Sequence, residues 1–416
     1  MKFTTLSTLL LLPATALAQS SSAAGGSASA AAPSASASSA AGNSTDYLTA
    51  VLGALTGAGL TTLVTAAQGI ANTTEGQALL GSLASGNKTV FAPSNQAFSN
   101  VSQDTLGDTA LLTQILSYHI LNNTYTASGV ATAPNHTIAR TLLRGGNYSL
   151  PGNFSAPLVL AKNSTNATSF EIIQTASNTT AGGNATAANL HVYVIDQVLT
   201  LPQTLTEALP AVAPQLFGLA GSIPGLADSL ASANGLTIFA PTDAAIGAIQ
   251  SSLGQLNSTQ VAAVLSNHVI NGTVAYSTRL TSSNYTSAGG EAFTFMSNST
   301  GAYVKSANST AKIVQSDIIL NNGVVHLIDA VLVNTGSNSQ AAESAYSSAT
   351  AAAATSTEAD TPVTATSSAT GPSGSASGSS GTSAAFKVAP IAFTSSMMGG
   401  IIAAAGAIVG GALTLF

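Results

Sequence analysis

Thr89-Val90-Phe91-Ala92-Pro93-Ser94-Asn95-Gln96-Ala97-Phe98 returns later in the chain as Thr237-Ile238-Phe239-Ala240-Pro241-Thr242-Asp243-Ala244-Ala245-Ile246. Each copy opens on a short run of β-branched and aromatic residues, the side chains that fit a pleated, buried surface. Proline stops that run. Ser94 or Thr242 then supplies a hydroxyl that accepts from the unpaired N–H groups of a first helical turn. The stretch therefore predicts strand, turn and helix start, twice.

Two more blocks repeat in the same order. Leu116-Ser117-Tyr118-His119-Ile120-Leu121 returns as Leu265-Ser266-Asn267-His268-Val269-Ile270, and Val194-Ile195-Asp196-Gln197-Val198-Leu199 as Leu327-Ile328-Asp329-Ala330-Val331-Leu332. Three ordered blocks at one long period mean one domain type used twice. Leu48, Val51, Leu52 and Leu55 follow the i, i+3, i+4, i+7 spacing of an amphipathic helix ahead of the first copy's strand. Leu112, Ile115, Leu116 and His119 share that spacing, as do Val261, Val264, Leu265 and His268, so both histidines fall on an apolar stripe. That position predicts core histidines bonded to backbone rather than a pH-sensitive contact. Phe293 and Phe295 alternate with small or polar residues, and Asp317–Leu320 and Val324–Ile328 flank Asn322-Gly323, a hairpin signal. Helices first and strands afterwards predict an α+β domain. Asp196 and Asp329 sit among β-branched and Leu neighbours, which favours backbone acceptors over acid–base or metal work.

Phe-Ala-Pro-Ser/Thr-Asn/Asp, Tyr118-His119 and Asn322-Gly323-Val324-Val325-His326-Leu327-Ile328-Asp329 resemble the signatures of the fasciclin (FAS1) family. The resemblance covers residues 43–200 and 201–335 and implies two tandem domains, each a β-wedge with packed helices. It also implies roles in adhesion and extracellular-matrix contact. The second copy departs from it with Asn267 where the motif has Tyr. The first has Tyr193 where the second has His326, and a sequon-rich approach from Asn178 to Asn189 in place of a tight Asn-Gly hairpin. In animal relatives an Asp-Ile pair ahead of the second signature is linked to integrin binding. Asp317 and Ile318 match that pair and are the candidate adhesion contact, the alternative being a strand-edge Asp beside a core Ile, while His119, His268 and His326 are motif histidines of structural character.

Composition narrows the function. Charged residues make up 6% of the 416, against roughly 25% in an ordinary soluble domain. Nine scattered Lys and Arg at a net charge of −6 form no basic patch, which excludes nucleic acid as a partner. Absence of Cys excludes disulfides, thiol catalysis and Cys-based metal sites. No G-x-S-x-G elbow, H-E-x-x-H helix or P-loop occurs, so neither an enzyme nor a cofactor is expected.

The ends give a compartment. A positive start at Lys2, the run Leu9–Leu12 and the small-x-small site Ala16-Leu17-Ala18 read as a secretory signal peptide over 1–18. Residues 19–42 are a low-complexity Ser/Ala segment. Residues 336–385 are Ser/Thr-rich with scattered Pro and read as a disordered, O-glycosylated stalk. Residues 386–416 end in an uncharged apolar run. After the small residues around Gly381 and Ser383 this matches a glycosylphosphatidylinositol (GPI) attachment signal, with a retained membrane-spanning tail as the alternative. Seventeen asparagines begin an N-x-Ser/Thr sequon: Asn43, Asn72, Asn87, Asn100, Asn122, Asn135, Asn147, Asn153, Asn163, Asn166, Asn178, Asn184, Asn257, Asn271, Asn284, Asn298 and Asn308. Chance placement among this many Ser and Thr would give about seven, so N-glycosylation on surface loops is expected. With the family resemblance, this layout looks like a fungal-type adhesion glycoprotein on the outer cell surface, held at the plasma membrane or wall by a lipid anchor. Its partners would be extracellular matrix, cell-wall glycans or neighbouring cell-surface proteins. The alternative is a structural wall mannoprotein with no specific partner.

Overall fold

In the computed structural model, which describes residues 44–148, 150–162, 169–357 and 363–364, strands Lys88–Pro93 and Leu236–Pro241 are buried along their whole length. The period of two sorts their side chains between two cores. Val90 and Ala92 face the helices, with Val51, Leu63, Ile70, Leu112 and Leu116, while Phe91 faces a β core with Leu158, Phe170, Ile172 and Tyr193. Leu236, Ile238 and Ala240 divide from Phe239 in the same way.

Each strand pairs in parallel with the last strand of its own copy, Leu190–Ile195 or Gly323–Ile328. On its other side it pairs antiparallel with the short strand after the motif histidine. The remaining strands are antiparallel neighbours. The first sheet runs Thr137–Arg140, Pro157–Ala161, Phe170–Ile173, Thr179–Ala187, Leu190–Ile195, Lys88–Pro93, Ile120–Leu121. The second runs Tyr285–Thr286, Ala292–Asn298, Gly301–Ser306, Ser309–Ile319, Gly323–Ile328, Leu236–Pro241, Val269–Asn271. Three helices precede the buried strand in each copy, and another, Thr109–Tyr118 or Ser258–Ser266, delivers the histidine. The fold is α+β, twice over.

Local chemistry sets the element boundaries. Ser94 Oγ accepts from Ala97 N at 3.2 Å and Thr242 Oγ1 from Ala245 N at 3.3 Å, capping the helix after each proline. At the second hairpin, Asn322 Nδ2 donates to the carbonyls of Leu230, Ala231 and Ala233 at 3.0–3.2 Å, closing the end of helix Leu226–Ser232. Asn189 does the same work in the first copy, donating to Leu83 and Gly86. The first copy thus has a tight hairpin as well: its turn is Ala188-Asn189, with Ala188 at φ +54° in place of a glycine. Asn322→Ala should cost about 1 kcal/mol, because it strips a shared donor from three carbonyls at a part-buried helix end. A urea midpoint unchanged from wild type would show that water replaces the amide.

The stretch 336–385 departs from its expected disorder. Residues Ser339–Thr355 form a helix, and Val363–Thr364 pair with Thr137–Arg140 at the edge of the first sheet. Low apolar content limits burial, but alanine is the best helix former and needs little burial to hold a helix that docks. The signal peptide, the 19–42 segment, the remainder of the stalk, Gly381, Ser383 and the apolar tail lie outside the described residues. Among the described residues no helix is long and apolar enough to cross a membrane.

Candidate functional site

The two motif histidines have matching surroundings. His119 follows helix Thr109–Tyr118 and is 2% exposed; its Nδ1 donates to Ile115 O at 2.7 Å and its Nε2 accepts from Leu199 N at 2.9 Å. His268 donates from Nδ1 to Val264 O at 2.7 Å and accepts at Nε2 from Leu332 N at 3.0 Å. These partners assign the neutral tautomer. The histidine carbonyls accept from Phe91 N and Phe239 N at 2.9 and 2.8 Å. Each residue therefore joins a helix, the buried strand and the segment leaving the domain. Burial pushes both imidazoles down to about 4, against the smaller upward pull of the backbone bond.

His326 and Tyr193 occupy the same register position, opposite Phe239 and Phe91. His326 Nε2 donates to Ala275 O at 2.9 Å, and its ring stacks on Phe239 at 5.5 Å. Tyr193 reaches the matching carbonyl, Tyr125 O, at 3.1 Å with its hydroxyl. Thr89 and Thr237 hold both loops alike, each accepting from Tyr125 N or Ala275 N. The Tyr–His difference between copies is one anchoring role filled by two side chains.

Asp317 and Ile318 are only 2% and 3% exposed, which removes them as a surface adhesion contact. Asp317 lies in a bulge of strand Ser309–Ile319 at φ +62°, which turns its carboxylate toward the first domain. His136 Nδ1 donates to its Oδ2 at 2.7 Å, Ser277 N donates to Oδ1 at 2.7 Å, and the Ser277 hydroxyl donates as well. Burial pushes this carboxyl up, but the His136 bond, the nearby His326 and His136 charges and the Ser277 bond outweigh it and hold it below the usual carboxylate range. Around the pair lie Ile138 and Val159 from the first domain and Tyr276, Ile319 and Val324 from the second. The Arg140 guanidinium stands 5.3 Å from the ring centres of both Phe154 and Tyr276. Asp317 thus lies at the domain junction, while Ile318 packs into the second domain's helical core with Leu205, Ile238 and Val325. Sequence reasoning missed His136 and Ser277 because no spacing links them to Asp317; the sequon Asn135-His136-Thr137 marks only a loop.

The outer surface carries the sequons. Thirteen of the seventeen asparagines are exposed, and Asn43, Asn163 and Asn166 lie outside the described residues. Asn122 is half-buried and accepts from Lys88 Nζ at 3.0 Å, so among the described residues it is the poorest site for a sugar. Asp329 accepts from Lys312 N at 2.7 Å as a backbone partner. Asp196 lines an open groove with Gln96, Asn100, Thr105, Gln197 and Thr200; it is the one carboxylate lining that groove, where glycoside hydrolysis needs two. Among the described residues no group of three His, Cys, Asp or Glu is placed to hold a metal ion.

The Fasciclin domain model matches residues 58–202 and 215–334. A fasciclin-like arabinogalactan protein of Arthroderma benhamiae is 23% identical over 257 residues, 59% of this chain and 58% of that protein. Immunogenic protein MPT70 of Mycobacterium tuberculosis is 32% identical over 147 residues, 34% of this chain and 64% of its own length. The chain thus spans less than two thirds of the length of these curated relatives. Among solved structures, a FAS1 domain pair from the insect cell adhesion molecule fasciclin I is 18% identical, with a TM-score of 0.32, covering 65% of this chain and 97% of that one.

Proposed function

The chain belongs to the fasciclin family, with two tandem domains, and on that premise we propose that it is a non-enzymatic adhesion glycoprotein of the outer cell surface. The observation that carries this reading is the distribution of exposed sequon asparagines over both domains. A surface so poor in charge gains its hydration from sugars, and such sugars face a neighbouring cell or matrix before the polypeptide does. In this reading the signal at 1–18 starts secretion, the Ser/Thr-rich chain beyond the folded part is a spacer, and a lipid anchor added near Gly381 or Ser383 holds the protein at the membrane or wall. Many copies displayed together turn weak contacts with matrix, wall glycans or other surface proteins into firm attachment by avidity. The Asp317-Ile318 pair has no part in that contact; the binding surface is the glycosylated exterior.

Deleting the gene and measuring attachment of cells to matrix-coated and cellular surfaces tests the proposal. Attachment should fall, and re-expression should restore it. Unchanged attachment with raised sensitivity to wall stress would replace adhesion with a structural wall role. On the same protein, endoglycosidase should give a large drop in apparent mass and promote precipitation, and phosphatidylinositol-specific phospholipase should release it from membranes. An unchanged mass would remove the glycoprotein part of the reading; retention on membranes would favour a spanning tail.

A further inference from the structure

The helix Ser339–Thr355 touches both domains: strand Tyr285–Thr286 of the second and the Pro151–Asn153 turn of the first. Its contact face is a line of half-buried alanines four residues apart, Ala341, Ala345, Ala349 and Ala353, while Ser344, Ser348, Ala351 and Ala352 face solvent. Its seat is shaped for it. A side chain at Gly272 would run into the Tyr346 ring at 2.9 Å, and one at Gly152 would meet Ala353 O at 2.9 Å. Asn338 caps the helix through Ala341 N at 3.0 Å and donates its own N–H to Gly289 O at 2.7 Å.

The segment entering this helix is moored by the residue that departs from the family motif. Asn267 is fully buried, and its Nδ2 donates to Asn334 O and Gly336 O at 3.0 and 2.8 Å, while Ser287 Oγ donates to its Oδ1 at 2.6 Å. In the first copy Tyr118 holds this position and sends its single hydroxyl to Pro157 O at 3.1 Å. A tyrosine cannot supply the paired N–H donors that bind the Asn334 and Gly336 carbonyls of the exit segment together.

We propose that residues 334–355 are a strap that fixes the two domains in one arrangement, and that Asn267 is the positioning residue that moors it. The direct junction is limited to the small apolar cluster around Asp317, the His136–Asp317 hydrogen bond, Arg140 against Tyr276 and Pro151 beside Gly235, and domains joined over so small an interface rock against each other. A second attachment away from that patch removes the rocking. Most helical stability in a protein comes from packing rather than propensity, and six of the 17 residues here are Ser or Thr, so docking is what holds the strap helical. Undocking therefore melts it, and the seat then lies open.

The test uses the full chain, whose lack of cysteine permits a clean spin-label pair at Thr180→Cys and Thr294→Cys, exposed positions in different domains. Ala345→Glu with Ala349→Glu keeps helix propensity but places charge on the docked face; Ser348→Glu with Ala352→Glu adds the same charge to the wet face. The docked-face variant should broaden the interdomain distance distribution about twofold and raise proteolytic cleavage within 337–357 about tenfold, since cleavage follows the open population. The wet-face variant should match wild type. Asn267→Asp, which loses the two donors, should raise cleavage by a similar factor. A freely cleaved strap with an unchanged distance distribution would overturn the strap's role, and so would continued protection in the docked-face variant. Wild-type cleavage in Asn267→Asp would overturn the mooring.

Discussion

Alanine at Phe239 is expected to unfold the second domain under conditions that the first still withstands. The phenyl ring is fully buried and lies 5.2 and 5.5 Å from the rings of Phe293 and Phe295. Removing it leaves a cavity that the sheet cannot collapse into, because Phe239 sits between the parallel partner strand and the short strand after His268. Phenylalanine-to-alanine changes at such sites cost about 3–5 kcal/mol. A whole domain is typically stable by only about 5–15 kcal/mol. The loss also reaches the junction. His326 stacks on Phe239 and accepts from Asp317 N at 3.3 Å, so a loosened His326 frees the bulge that aims Asp317 at His136. Hydrogen exchange resolved by peptide reads both effects. Second-domain core amides should exchange at least about a hundredfold faster, and those of strand Lys88–Pro93 should stay near wild type. Phe295→Ala, at a half-buried ring, should cost clearly less. Equal costs for the two would mean that Phe239 is not the centre of this core.

Sequence legibility tracked the range of the interaction. The strand-Pro-cap block was readable because its causes lie within ten residues: β-branched side chains, a proline, and a hydroxyl three residues before the N–H it caps. The motif histidines were readable for a similar reason, since helical spacing alone places His119 and His268 on the apolar stripe and their Nδ1 bonds reach back four residues. Asp317 shows the limit. A motif match pointed to an exposed contact, but its partner His136 is 181 residues away, and a bulge that no local rule announces sets its direction. The strap was hidden in another way. Ser and Ala dominate both a disordered stalk and a docked helix, and what separates them is the alanine period of four together with a seat built from the rest of the chain. Asn267 was visible as a departure from the family pattern, but its purpose required the position of Asn334 and Gly336.

Acid should destabilise the protein from a pH well above the range in which carboxylates titrate. His119 and His268 are neutral in the fold, with values pushed down to about 4 by burial, while the unfolded chain has the ordinary value of 6.5. Between those values the unfolded chain binds a proton at each site that the folded chain does not, so stability falls as pH drops from about 6.5 to about 4. The gap is worth about 3 kcal/mol for each ring, and each domain holds one. The second domain carries more. Burial also lowers His326, against the pull of Asp317 and its bond to Ala275, which adds to the loss below pH 6.5. Asp317, held below its ordinary 3.8, adds stability that is present above that value and disappears as pH falls through its depressed one. Both domains should therefore be most stable near neutral pH, and the second should unfold first on acidification. Urea titrations from pH 7.5 to 4.5, read by domain-resolved hydrogen exchange, give the two slopes. His268→Gln should lower second-domain stability at pH 7.5 and flatten its slope, leaving the first domain's slope alone. A stability profile flat from pH 7 to 4.5, or ring resonances of His119 and His268 that titrate near 6.5 in the folded protein, would show that these rings are not the buried neutral links between helix, strand and exit segment.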